Sequence, residues 1–267
     1  MFIEYLEKLR SGGKRWFTSQ EIIHGLSISA DAARAGLYRL KRGGRLISPV
    51  SGLYVIVPPE HKLYGSIPAE ELVPIMMKYL NAEYYVALLS AAGFYGASHQ
   101  KPMVFQVVTN RRIKHSLKFG QVHIKLIHKK SLTDLPTKDF VVSSGYLKVA
   151  TPELIAIDLL GFPKHAGGMN NIATVLSELI ESINVHKLIA LSENLGERYQ
   201  LQRLGYIIEK IDVMDEDVKR TIIEVLAEYV SSNAKSYTPL ASIISRIGYP
   251  RCRKWKIIEN TDFESDL

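Results

Sequence analysis

Arg34, Tyr38, Lys41 and Arg42 are spaced so that one side of a single helix would carry them together, opposite a stripe of Ala33, Leu37 and Leu40. A basic surface with one aromatic suits a groove of DNA. Because a recognition helix turns its N-terminal half toward base edges, Arg34 and Tyr38 are the candidates for base contact, and Lys41, Arg42 and Arg45 for phosphate. Thr18, Ser19 and Gln20, at the start of the preceding helix, complete the candidate DNA-contacting set. The same charges would also suit a solvated helix face.

A second concentration of positive charge lies further on. Residues 99–130 hold 8 Lys and Arg and 0 Asp and Glu, including Arg111, Arg112, Lys114, Lys118 and Lys125. This segment is either a solvated sheet edge protected against aggregation or a second nucleic-acid surface. His115, His123 and His128 fall within it, but the crowding cations would repel a divalent metal, so no metal site is expected there. Glu153 and Asp158, five residues apart on one helix, lie roughly 140° apart around its axis and make a poor acid-base pair. Glu153 is better explained by the helix dipole. Asp139, Lys148 and Glu153 are the only set that approaches a magnesium nuclease centre. A phosphate loop ending in Lys-Ser or Lys-Thr, His-Glu-x-x-His and Gly-x-Ser-x-Gly are all absent, and neither catalysis nor a cofactor is expected.

The elements that must position these residues can be read around them. Thr18 and Glu21 fit a capping box for a helix beginning at Ser19, with Ile22, Ile23 and Leu26 as its apolar face. Gly25 and Ser27 supply turn chemistry, Ser29 caps a second helix over residues 30–42, and Gly43-Gly44 stops it. Leu46–Ser48 and Leu53–Val57, joined through Pro49-Val50-Ser51-Gly52, are two β-prone runs that make a hairpin. Helix, turn, basic helix and hairpin in that order spell a winged helix-turn-helix. Phe2, Leu6 and Leu9 form an earlier helical stripe beneath the pair. Pro58-Pro59 marks the boundary of this small domain, giving residues 1–58 as a DNA-binding domain and 62–267 as a larger one.

In the second domain the sequence reads as helical over residues 69–96 with a break near Asn81. Two β-type runs follow, Met103–Thr109 and Gln121–Ile127, separated by a loop over residues 110–120. In the second run Val122, Ile124 and Leu126 alternate with Gln121, His123 and Lys125. A hairpin is predicted around Ser143-Ser144-Gly145. Thr151-Pro152-Glu153 opens a helix with Leu154, Ile157 and Leu160 as its buried stripe. Helices are then expected over residues 171–182, 185–194, 198–204 and 217–230, and an extended basic strand near residues 251–256. The expected class is α+β: an N-terminal winged helix-turn-helix followed by a larger mixed α/β domain.

Composition bounds the function. The 267 residues are 46% hydrophobic and carry a formal charge of +7, which favours an anionic partner. One cysteine, Cys252, excludes an intrachain disulfide and a multi-cysteine zinc site and fits a reducing cytoplasm. The first ten residues lack the apolar core of a signal peptide, and no run approaches the roughly 18 apolar residues of a membrane span. A cytoplasmic protein without membrane contact is expected.

With the winged helix, Thr151-Pro152-Glu153, Asp158-Leu159-Leu160, Gly167-Gly168, Arg203-Leu204-Gly205-Tyr206, Tyr237-Thr238-Pro239-Leu240, Lys254-Trp255-Lys256-Ile257 and Asn260 in order, the chain resembles the AbiEi antitoxins of bacterial type IV toxin-antitoxin (abortive infection) systems across nearly its whole length. The resemblance implies a repressor that binds double-stranded DNA repeats in its own promoter. It also implies an antitoxin that counteracts a nucleotidyltransferase-like toxin without forming a stable complex. Arg34, Tyr38, Arg39, Lys41 and Arg42 then occupy recognition-helix positions, whereas no motif assigns the antitoxic residues; Arg111, Arg112 and their basic surroundings are the physical candidates. A ligand-sensing transcriptional regulator and a DNA-processing enzyme are the alternatives from other classes.

Overall fold

The computed structural model of the chain describes residues 1–97, 103–113 and 116–265. They divide into two compact units, one made of Met1–Val86, Met103–Thr133 and Asp139–Lys148, the other chiefly of Val149 onward.

The first unit opens with α1 (Phe2–Ser11), β1 (Trp16–Thr18), α2 (Ser19–Leu26), α3 (Ala30–Arg42), β2 (Leu46–Ile47) and β3 (Leu53–Ile56). Both halves of the capping box form. The Glu21 N–H donates to Thr18 Oγ1 at 3.2 Å, and the Thr18 N–H donates to Glu21 Oε2 at 2.7 Å. Ser29 caps α3 by accepting from the Ala32 N–H at 3.2 Å. The turn between the helices is made differently from expectation: Ser27 takes the left-handed conformation (φ 51), and Gly25 lies inside α2, where a Cβ would meet the Tyr5 ring at 2.7 Å.

Leu6, Phe17, Ile22, Ala33, Leu37, Leu40, Leu46 and Ile56 form one buried cluster, with Phe2, Leu9 and Tyr54 packed against it. A side chain on Gly36 would lie 2.1 Å from the Phe2 ring, so α3 must be bare there for α1 to close on it. β1 was not legible beforehand. Its three residues are too few for a period to register; antiparallel pairing with β3 makes them a strand and completes the sheet order β1-β3-β2.

Beyond a short 3₁₀ turn at Pro59–His61 come α4 (Ala69–Leu80), β4 (Tyr84–Val86), α5 (Leu88–Ala92), β5 (Phe105–Thr109), β6 (Ser116–Phe119), β7 (Val122–His128), β8 (Thr137–Val142) and β9 (Gly145–Ala150). The six strands form one mixed sheet in the order β6-β7-β5-β4-β9-β8, with β5 parallel to β7 and antiparallel to β4. Two expectations are corrected here. Tyr84 and Tyr85 share a helical spacing with Leu88 and Ala92, yet Tyr85 and Val86 pair with Val108 and Val107, and the ladder overrides the spacing. The stretch read as a loop over residues 110–120 contains β6, which folds back antiparallel on β7.

The second unit is dominated by helices: α6 (Pro152–Gly161), α7 (Met169–Leu179), α8 (Val185–Leu195), α9 (Tyr199–Lys210) and α10 (Glu216–Asn233), followed by β10 (Thr238–Pro239), β11 (Arg251–Cys252) and β12 (Ile257–Ile258). Every residue of α6 from Pro152 to Leu160 is buried, so it has no single inward stripe; it is a central helix packed on all sides. Thr151 precedes it as expected, but its buried hydroxyl finds no partner among the described residues. Glu153 does more than complement the helix dipole: its buried carboxylate accepts the Asn184 N–H at 3.0 Å. α9 continues past Leu204 to Lys210 because it must carry the end of the chain.

That end is locked onto α9. Gln202 Nε2 donates to the carbonyls of Ser236, Trp255 and Lys256 at 3.1, 3.2 and 3.0 Å, and its Oε1 accepts from Thr238 Oγ1 at 2.7 Å. Arg203 Nε donates to the Pro239 carbonyl at 2.9 Å. Trp255, fully buried, lies over Gly205, where a Cβ would come within 2.1 Å of the indole. The expected basic strand is thereby broken up: only Arg251–Cys252 and Ile257–Ile258 are strands, and Trp255 between them is core. No helix among the described residues is long and apolar enough to cross a membrane.

Candidate nucleic-acid interface

α3 carries its charges as the spacing predicts. Ala33, Leu37 and Leu40 are buried, and Arg34, Tyr38, Arg39, Lys41 and Arg42 are exposed. With roughly 100° between successive residues, Asp31, Arg34, Tyr38 and Arg42 share the outward side, while Arg39 and Lys41 lie on its two flanks. Tyr38 is 64% exposed, a large aromatic surface left in water. Gly44, with φ 67, ends the helix and leaves Arg45 exposed at the start of the hairpin.

Asp31 belongs to this face and was missed. Its carboxylate accepts from Arg34 Nη1 at 3.0 Å, with both side chains almost wholly exposed. The signal was an acid three residues before an arginine, the spacing at which helical side chains meet. An acid in the first turn also favours the helix dipole. Set against a nucleic acid, a carboxylate here would repel phosphate and could accept from a cytosine amino group.

The elements behind α3 are fastened. The Ser19 N–H donates to the Gly52 carbonyl at 3.0 Å and the Tyr79 hydroxyl to the Ser51 carbonyl at 3.1 Å. Gly52 has φ 82, and a Cβ there would lie 2.6 Å from the Tyr79 oxygen. The hairpin turn is thus held between α2 and α4, and none of its residues is charged; the positive surface belongs to α3 and Arg45. Arg15 Nη1 reaches Glu71 Oε2 at 2.7 Å and Ser143 Oγ at 3.0 Å, tying β1 to α4 and to the β8–β9 turn.

Of the other anticipated contacts, the Thr18 hydroxyl is engaged as the helix cap, Ser19 is half-buried and Gln20 is exposed. The Glu21 carboxyl completes the cap. Burial opposes its ionisation, but the Lys14 ammonium and the Thr18 N–H outweigh that and hold its pKa below the ordinary 4.5.

The second basic segment separates into parts. Lys118 faces His123 across the β6–β7 ladder and Ser116 faces Lys125, which places all four on one side, with Leu117 and Ile124 buried on the other. Arg111 turns its guanidinium to the Leu80 carbonyl at the end of α4, so its charge serves a helix terminus. Arg112 is exposed, and Lys114 and His115 lie outside the described residues. Among the enzymatic candidates, Asp139 and Lys148 are exposed on β8 and β9, whereas Glu153 is committed to Asn184. Among the described residues no three His, Cys, Asp or Glu side chains gather as a metal would require.

The fold is thus mixed α/β, with an N-terminal helical region leading into a larger α/β part. Residues 85–210 match the family described as the AbiEi antitoxin C-terminal domain. Among solved structures it is similar to the RV2827C protein from Mycobacterium tuberculosis, with 17% identity, a TM-score of 0.66 and coverage of 98% of this chain and 90% of that one. At that identity the likeness is one of fold. The antibiotic-resistance factor ANT(2'')-Ia matches 48% of this chain and 89% of its own at 8% identity and a TM-score of 0.33. An antigenic nucleotidyltransferase-like protein from Paracoccidioides brasiliensis matches 48% and 88% at 11% identity and a TM-score of 0.29. No curated protein matches the sequence.

Proposed function

We propose that this chain is the antitoxin of a type IV toxin-antitoxin system and represses its own operon by binding double-stranded DNA repeats in the promoter. Residues 1–58 form the winged helix-turn-helix that contacts DNA, and residues 62–267 form the antitoxin domain. α3 enters the major groove with Arg34 and Tyr38 toward base edges, while Lys41, Arg42 and Arg45 neutralise phosphates. The carrying observation is the outward side of α3, basic and aromatic, set opposite a buried apolar stripe in front of an AbiEi antitoxin domain. The antitoxin domain counteracts a nucleotidyltransferase-like toxin without a stable complex, as a regulator in the cytoplasm and not as an enzyme. Arg112 and Lys118, both exposed, and the half-buried Lys125 are the basic residues available to that second activity.

The test is a gel-shift titration on duplex DNA from directly upstream of the reading frame, against a scrambled duplex of equal length, at two salt concentrations. A preference for the native fragment that survives the higher salt is expected. Equal binding that vanishes with salt would reduce the protein to a non-specific cation. Co-expression with the neighbouring toxin gene, with and without residues 1–58, tests whether growth rescue resides in the larger domain.

A further inference from the structure

The second unit displays apolar side chains where a soluble surface has no use for them. Ile243 and Ile247 are 72% and 87% exposed, Tyr249 is exposed beside them, and every residue from 242 to 251 faces water. The loop is not slack. The buried Asn260 donates through Nδ2 to the carbonyls of Ala241, Ile244 and Ser245 at 2.8, 3.2 and 3.2 Å, and its Oδ1 accepts the Ala241 N–H at 2.9 Å. These bonds hold the backbone at Ala241, Ile244 and Ser245, on either side of Ile243. Large apolar side chains left in water along one short segment mark an interaction site.

Charge states what it takes. Between Ser236 and Lys256 there are five Lys and Arg and no Asp or Glu. Lys254 is bound to Glu209, Lys256 to the Ala234 carbonyl, and Arg251 lies over the Tyr237 ring at 5.2 Å. Arg246 and Arg253 pair with nothing among the described residues. The complementary chemistry is in the same unit: Met214 is 94% exposed, inside the acidic run Asp212-Val213-Met214-Asp215-Glu216-Asp217.

The two segments converge on the end of α9. Glu209, near the end of α9, binds Lys254 and accepts from Trp255 Nε1 at 2.6 Å, so that end of the helix rests on the basic segment. Met214 follows Lys210 by four residues, a reach of about 14 Å at most. Opposite charges are therefore neighbours at one end of the unit, yet no ion pair joins the two patches among the described residues. Glu216 and Asp217 bind Lys219 and Arg220 within α10.

We propose that this end of the second unit docks a second copy of the chain about a two-fold axis. The apolar, basic loop of one copy lies on the acidic, Met214-bearing segment of the other, and the reverse contact forms at the same time, as an isologous interface requires. The patch is small, so association is concentration-dependent and weakened by salt. None of its residues belongs to the DNA-contacting set, so the two readings stand or fall separately.

Sedimentation velocity of the full chain over a wide concentration range, at low and high salt, tests this. A monomer–dimer equilibrium is expected, weaker in high salt. Ile247→Asp should abolish the dimer, and Arg253→Glu should weaken it by about tenfold or more. Adding Asp212→Arg to Arg253→Glu should restore it, because opposite charges are then returned to the two facing segments. All three side chains are exposed, so an unchanged melting temperature verifies that each variant folds. A wild-type chain that stays monomeric throughout, or a dimer indifferent to Ile247→Asp, overturns the proposal. So does a monomer that pellets with phosphatidylglycerol vesicles in an Ile247-dependent manner, since the patch would then take a lipid surface.

Discussion

α3 and α9 are helices of 13 and 12 residues, both with arginine in them, and they use it in opposite ways. On α3 the guanidinium groups of Arg34, Arg39 and Arg42 stand in water, with Asp31 their one ion-pair partner among the described residues. On α9 Arg203 is buried. Its Nε holds the Pro239 carbonyl, its Nη1 holds Gln200 Oε1 at 3.1 Å, and its plane lies 5.3 Å from the Tyr199 ring centre. Burial lowers the Arg203 pKa, and these partners make the buried charge tolerable. The side chain is the same; desolvation decides whether it is a structural bolt or a surface free to meet an anion.

That contrast can be broken from either end. The largest effect is expected at Trp255→Ala, which empties the space over Gly205 and should cost about 3–5 kcal/mol in thermal or denaturant unfolding. An unfolding midpoint unchanged by it would mean that the end of the chain is not locked to α9. Arg203→Met, which strips two buried acceptors of their donor, should cost about 1–3 kcal/mol of stability while leaving the salt dependence of DNA binding alone. Arg34→Ala should do the reverse. Its melting temperature stays put, and it loses about 1–3 kcal/mol of discrimination between the native and scrambled duplexes. If affinity and preference both survive Arg34→Ala, the outward side of α3 is not the recognition surface.

Smaller effects sharpen the picture. Lys41→Ala and Arg42→Ala should each lower the slope of log affinity against log salt by about one unit, uniformly across DNA sequences. Thr18→Ala should cost about 1 kcal/mol by uncapping α2. The Glu21 half of that cap depends on pH. Because its folded pKa lies below 4.5, its contribution is present above that value and is lost as pH falls through the lowered one. Melting curves of the wild type and Glu21→Gln should therefore converge in acid and separate toward neutrality.

Local chemistry made much of the first unit legible in advance. The capping box, the Ser29 cap and the Gly43-Gly44 stop involve neighbours in sequence, and the buried stripe of α3 is a period that a single helix imposes. β1 and β6 escaped notice because three or four residues become a strand only when a distant one pairs with them. Tyr84–Val86 looked helical for the same reason. Among the site residues, Asp31 could have been found from its spacing to Arg34. That Arg111 would turn to the Leu80 carbonyl could not, since the acceptor lies 31 residues away.

The sequence alone determined the helix–turn–helix–hairpin order, the outward basic side of α3 and the family likeness, because capping, periodicity and motif order are properties of short stretches of chain. Only the tertiary structure decided what the family's scattered motifs do. Arg203, Thr238, Trp255 and Asn260, with Gln202 beside them, close the second unit through hydrogen bonds, and Trp255 also packs closely over Gly205. Burial, hydrogen-bond partners and the removal of water arise from residues far apart in sequence, and no reading along the chain contains them.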